Sequence, residues 1–177
     1  NNILCIAEKS VVAMRQIEPQ LVQEMVKAGC VLIENQQDIQ RLVDLTVLPN
    51  GTPNKKFVGK NASVILDAAH IPYNGDPRLI IMRTPKDHPF AVIEMLMPIL
   101  PVVTVDSFDE GLDVCLMLEA GLHHTATMHS LNMERLNRMA RKMKTSIFVK
   151  NGPSYAGLGF SGEGTTTFTI ATPTGES

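Results

Sequence analysis

The stretch Ile17-Glu18-Pro19-Gln20-Leu21-Val22-Gln23-Glu24-Met25-Val26-Lys27-Ala28-Gly29-Cys30-Val31-Leu32-Ile33 contains the alternation that sets the fold. Ile17–Ala28 is amphipathic at helical spacing, and Gly29 suits the left-handed position just past a helix end. Cys30–Ile33 then reads as a short buried strand. Further along, Asn35 can cap a second helix through about Leu48, with Asp38 three residues on. Pro49 to Lys60 is a polar loop rich in Asn, Gly, Pro and Lys. Asn61 caps another helix ending near His70, and Leu79–Met82 and Leu100–Val105 read as strands. Ser107-Phe108-Asp109-Glu110 is a capping box whose helix closes at Gly121. Thr125–His129 is the next strand, and Met133, Leu136, Ala140 and Met143 line one face of the helix that follows. Ser146–Val149 is a strand, and Thr165–Ala171 has strong β composition. Strands separated by helices predict an α/β fold, a mainly parallel sheet with helices on both faces.

Composition narrows the function classes. A chain of 177 residues that is 44% apolar can bury one ordinary core. A formal charge of −2 excludes a strongly basic nucleic-acid binder, so no nucleic acid partner is expected. The longest apolar runs, such as Met95–Val103, contain prolines and fall short of a membrane span. With no secretory signal, the chain is expected in the cytoplasm and away from membranes. Its 3 cysteines, Cys5, Cys30 and Cys115, lie far apart with no CxxC, which fits a reducing compartment. Cys30 and Cys115 fall in a strand and a helix and read as core. No His, Cys or Asp grouping has metal-ligand spacing, so no metal is expected. Asn1 is not a natural start and reads as the middle of a longer protein.

Several positions could carry chemistry. Cys5, beside Ile3, Leu4 and Ile6, reads by composition as a buried apolar cysteine. His123 and His124 are adjacent, so within a strand they would face opposite ways and could not both serve one site. Gly157-Leu158-Gly159-Phe160-Ser161-Gly162 matches the GxGxxG string, but a Pro-Ser-Tyr loop precedes it and Thr-rich sequence follows. A dinucleotide fingerprint needs a strand before and a helix after. The glycines read instead as letting a loop backbone approach a substrate. Arg135, Arg138, Arg141, Lys142 and Lys144 make a basic helix, read as a solvated face near a helix C-terminus.

Two runs carry a family resemblance. Asn1-Asn2-Ile3-Leu4-Cys5-Ile6-Ala7-Glu8-Lys9-Ser10 resembles the nucleophile loop of the aldehyde dehydrogenase superfamily, in its coenzyme A-acylating branch. Thr145 to Glu176, including Val149-Lys150-Asn151-Gly152-Pro153-Ser154-Tyr155-Ala156-Gly157-Leu158-Gly159, resembles the acetaldehyde and propionaldehyde dehydrogenases of ethanolamine and propanediol breakdown. In Glu94-Met95-Leu96-Met97-Pro98 an acidic residue stands four positions before a proline, as in the superfamily. The usual aromatic and glycine are here Leu96 and Met97.

The resemblance implies that residues 1–177 form the catalytic domain, with the nucleotide-binding domain and the C-terminal oligomerisation arm absent. It implies oxidation of a short-chain aldehyde, acetaldehyde or propionaldehyde, by NAD and coenzyme A to the acyl-CoA. Cys5 would be the nucleophile, forming a thiohemiacetal and then a thioacyl enzyme, with its own N–H as half of an oxyanion hole. Glu94 would accept from the nicotinamide ribose of NAD. Asn151, Gly157 and Gly159 would belong to the substrate loop, and His123 or His124 could relay the coenzyme thiol proton. The whole enzyme is expected to be a homo-oligomer, cytoplasmic or inside a bacterial microcompartment. Two other readings stand beside this one, a stand-alone cysteine acyltransferase or hydrolase and a non-catalytic assembly domain.

Overall fold

The computed structural model describes residues 6–159. They fall into two compact units that divide between Ser107 and Phe108. The first holds strands β1 (Val11–Met14), β2 (Cys30–Leu32), β3 (Leu79–Arg83) and β4 (Ile99–Val105). Its helices are α1 (Glu18–Lys27), α2 (Gln36–Thr46), α3 (Ala62–Ala68) and α4 (Pro89–Val92). The strands form one sheet in the order β1-β4-β3-β2, with every neighbouring pair parallel. Alternation along β3 sends Ile80 and Met82 into one core and Ile81 into the other. Leu42, Ile65, Leu66 and Phe90 of α2, α3 and α4 fill the first core, and Val22 of α1 the second. Burial on both faces explains why these strands are continuous apolar runs.

Pro101 lies inside β4, a central strand, where a missing N–H would normally break the ladder. Arg15 N–H donates to the Val105 carbonyl on the β1 side, whereas Ile80 and Thr84 donate to Pro98 and Val102 on the β3 side. By that parity Pro101 faces β1, one residue before the first pair, Val11 with Val102. The missing donor therefore interrupts nothing. At the far end of the same sheet, Arg83 reaches Glu18 at 2.8 Å and Glu34 at 3.1 Å, tying β3 to the start of α1 and the end of β2.

The second unit holds α5 (Phe108–Glu119), β5 (Thr125–Met128), α6 (Met133–Met143), β6 (Ile147–Lys150) and a 3-10 helix, Ser154–Leu158. β5 and β6 pair in parallel. Leu112, Met139 and Met143 pack with Phe108, Cys115, Ala126, Met128 and Phe148 into its core. Ile147 and Val149, on the other face of β6, meet the 3-10 helix, where Gly157 lies against Ile147.

The expected α/β architecture is present, with the described strands in two parallel sheets. Some boundaries move. β1 and α4 are four residues each, too short to show a period in the sequence. The buried stripe of α6 is Leu136, Met139 and Met143, while Met133 is 61% exposed at the helix start, so it does not join the apolar face predicted for it. Phe57, 2% exposed, anchors the polar 49–60 loop to the core. Thr165–Ala171 lies outside the described residues. Among the described residues no helix is long and apolar enough to cross a membrane.

Phe90 is fully buried and fixes α4 just ahead of Glu94. Phe90→Ala should cost about 3–5 kcal/mol. Urea denaturation should show this as a lower midpoint with an unchanged slope.

Candidate functional site

Glu94 sits between α4 and β4. His88 caps α4 by accepting from the Phe90 N–H at 3.2 Å. Burial holds the His88 imidazole below its ordinary range, with Asp87 opposing, in keeping with a neutral ring that accepts. Met95 and Met97, 1% and 0% exposed, anchor the next segment in the core. The alternation leaves Glu94 pointing outward and exposed. Leu96 adopts a left-handed backbone, φ 52°, and its carbonyl accepts from Gly59 N–H at 3.0 Å. A non-glycine residue there costs on the order of 1 kcal/mol and persists only where its surroundings enforce it. Among the described residues the Glu94 carboxylate has no hydrogen-bond or ion-pair partner, so both oxygens are free to accept from a vicinal diol. Lys9 Nζ lies 3.5 Å from the Val92 carbonyl, which brings the loop that follows the Cys5 motif to the Glu94 loop. Cys5 itself lies outside the described residues.

His123 and His124 precede β5 instead of lying in it, so strand alternation does not govern them. His123 is left-handed, φ 52°, and its Nδ1 lies 3.2 Å from the Met143 carbonyl. A carbonyl can only accept, so Nδ1 carries the proton and Nε2 keeps the lone pair of a base. His124 Nδ1 lies 2.7 Å from Thr125 Oγ1, which can donate or accept and fixes no tautomer. Both residues are half-buried, in contrast to the surface-and-interior split expected of strand neighbours. Ser146 and Ile147 N–H groups donate to the His123 and His124 carbonyls at 2.9 and 3.1 Å, so the pair sits at the N-terminal end of the β5–β6 sheet.

Asn151 stands at the other end. Its side chain accepts from Ser130 N–H at 2.7 Å and donates to the Ser130 carbonyl at 3.0 Å. This bidentate clamp extends the strand pairing beyond Met128 and Lys150, and it occupies much of the amide's capacity. The 3-10 helix then runs back along β6. An added Cβ on Gly157 would lie 2.2 Å from Ile147 Cγ2, so close packing, not flexibility, requires a glycine there. Gly159 ends that helix with φ 85°, a conformation open to glycine. Gly157 thereby returns to Ile147, whose N–H holds His124. Ile147 is thus a shared neighbour of the glycine turn and of the histidine pair, while the Asn151 amide is spent on Ser130.

The remaining candidates have local roles. Arg135 and Arg138 stand over the Phe108 ring at 5.6 and 5.4 Å, and Arg138 pairs with Asp109 at 2.6 Å. Burial pushes the Cys115 thiol up to about 11 and raises that of Cys30. Neither is a ready nucleophile at neutral pH. A small open cavity of about 170 Å³ in the first unit is lined by Ile33, Glu34, Gln36, Ile39 and Arg83, none of them a predicted site residue. Among the described residues no three His, Cys, Asp or Glu side chains are grouped to hold a metal. Glu119, considered below, was missed in the sequence, where it reads only as a helix-end acid.

Glu94 precedes a parallel strand of the first unit and the histidine pair a parallel strand of the second, and the chain is similar to proteins of the aldehyde dehydrogenase class. Within it, the chain is homologous over nearly its whole length to the coenzyme A-acylating enzymes. Propanal dehydrogenase (CoA-propanoylating) of Citrobacter freundii is 52% identical over 176 residues, 99% of this chain and 38% of that protein. An acetylating acetaldehyde dehydrogenase of Salmonella typhimurium is 43% identical over 99% of this chain and 38% of its own length. The propionaldehyde dehydrogenase of Rhodopseudomonas palustris, solved with propionyl-CoA, is 44% identical with TM-score 0.94 over 99% of this chain and 39% of that one. A second structure of it holds CoA and an acylated cysteine. The propionaldehyde dehydrogenase of a Clostridium phytofermentans fucose-utilisation microcompartment is 42% identical with TM-score 0.92, over 97% of this chain and 39% of that one. Two alanine variants of that enzyme replace a cysteine and a histidine 118 residues apart. No family model matches the chain. The chain spans about 38% of the length of the curated relatives it matches.

Gly157→Ala should destabilise the chain by about 1–3 kcal/mol through overpacking. Adding Ile147→Ala removes the opposing methyl. In a double-mutant cycle read by thermal denaturation, the pair should lose less than the sum of the single variants.

Proposed function

We propose that this chain supplies the cysteine nucleophile and the thiol-activating histidine of an NAD-dependent, coenzyme A-acylating oxidation of a short-chain aldehyde. The observation that carries the reading is the match, at TM-score 0.92, to an enzyme holding CoA and an acylated cysteine. Relatives named for propanal and for acetaldehyde support those two substrates. A stand-alone acyltransferase or hydrolase, or an assembly domain, is not favoured, because these relatives are dehydrogenases.

In this reading the Cys5 thiolate adds to the aldehyde carbon, and loss of hydride leaves an acyl thioester on Sγ. NAD, when bound, supplies the hydride acceptor, and the unpartnered Glu94 carboxylate fits its ribose hydroxyls. The coenzyme A thiol gives its proton to His123 Nε2. Its sulfur attacks the thioester carbonyl, the C–Sγ bond breaks, and Cys5 leaves as thiolate. His123 is the better base of the pair because the Met143 carbonyl fixes its tautomer. Cys5 and His123 are also separated by the 118 residues that separate the two positions replaced in the Clostridium enzyme. Asn151, Gly157 and Gly159 would shape the turn beside the histidines, with Asn151 as a clamp.

We place residues 1–177 in the catalytic domain of a homo-oligomer, with the cofactor held jointly with a nucleotide-binding domain of the same enzyme. The microcompartment source of one relative supports a microcompartment in the cytoplasm as the working location.

Incubating the complete enzyme with propionyl-CoA should add one propionyl group to the Cys5 peptide, read by mass spectrometry. Iodoacetamide at pH 8 should label Cys5 well before Cys115, whose thiolate fraction there is about one in a thousand. Propionylation that persists in Cys5→Ala would overturn the assignment. His123→Ala should slow acyl transfer to coenzyme A at least tenfold and His124→Ala less, measured in single turnover. The reverse ranking would move the base to His124.

A further inference from the structure

We infer that Glu119 is a positioning residue for the histidine that activates the coenzyme A thiol, an inference that rests on the reading above. Glu119 is the last residue of α5, and its side chain is 8% exposed. That is an unfavourable place for a carboxylate. The C-terminal end of a helix dipole repels negative charge, and burial removes solvation. The chain nonetheless holds it there with two backbone donors, Gly121 N–H at 3.0 Å and His124 N–H at 3.3 Å. Oε2, the oxygen that accepts from Gly121, also lies 4.0 Å from His123 Nδ1.

The turn that it grips is strained. Ala120, Gly121 and His123 are all left-handed, with φ of 58°, 75° and 52°. Two non-glycine residues in that region within four positions need an external hold. Glu119 supplies it on one side, and the Ser146 and Ile147 N–H groups supply it on the other. The same carboxylate faces the ring that would become cationic when Nε2 takes the thiol proton. It keeps its own charge, forms no bond and gains no proton. Its role is to fix the ring and offset the imidazolium, so its effect falls on transfer to coenzyme A and not on aldehyde oxidation.

The test uses the complete enzyme and two readouts, the pre-steady-state burst of NADH and single-turnover acyl transfer to coenzyme A. Glu119→Gln keeps the size and one acceptor oxygen but removes the charge. The expected result is a burst within twofold of the parent, transfer slowed at least tenfold in kcat with KM for coenzyme A little changed, and a Glu119→Gln/His123→Ala double variant no slower than His123→Ala alone. A residue that merely stabilised the fold would not give that non-additivity. Parental transfer in Glu119→Gln beside a slow His123→Ala overturns the role of Glu119 and leaves the histidine in place. Parental transfer in His123→Ala overturns the reading beneath it. Should the glutamine variant melt several degrees lower, Glu119→Asp is carried through the same cycle, where additive losses with His123→Ala overturn the inference.

Discussion

The parallel pairing of β4 with both of its neighbours is the constraint on which the first unit depends. β4 is buried on both faces, and each of its backbone groups needs a partner on β1 or β3. Once Val11 is paired with Val102 and Ile80 with Ile99, the loops that feed these strands enter at the same edge of the sheet. One carries the sequence that follows Cys5 and the other carries Glu94. In open parallel sheets ligands ordinarily lie outside the carboxyl ends of the strands. Here Glu94 stands at the entrance of β4 and, in the second unit, the histidine pair stands just before β5, whereas Asn151 follows β6. The cavity beside Arg83, at the carboxyl edge, contains none of them.

Such an arrangement puts the burden of precision on loops instead of on strand ends. The chain meets it with local over-determination. Buried Met95 and Met97 follow Glu94, an amide donor from Gly59 holds Leu96, and a clamp from Asn151 closes the ends of β5 and β6. Each device spends a polar or apolar group on backbone placement, the support that a preorganised site requires.

Much of this was legible in the sequence, where local signals are strong. The helix from Glu18 to Lys27, the Asn35 cap and the strand at Cys30 follow from periodicity and capping chemistry, and all three are in the structure. β1 and α4, four residues each, were not read from the sequence. The backbone of the histidine pair was not legible, because nothing in Leu122-His123-His124 announces a left-handed residue. The reason for Gly157 was also hidden. The position reads as loop freedom, yet its cause is Ile147, ten residues earlier and adjacent only after the chain folds back. Glu119 lost its signal for a similar reason, since helix-end acids are common on surfaces and only the fold reveals that this one is enclosed.

The Arg83 network responds unevenly to ionic strength. Glu18 is shielded, with its side chain 8% exposed, while Glu34 is 72% exposed. At about 1 M salt the screening length falls to roughly 3 Å, which weakens solvent-exposed pairs far more than enclosed ones. Concentrated salt would therefore release the tie to β2 first and leave α1 fastened to β3. The edge strand would loosen, with the rest of the sheet still anchored.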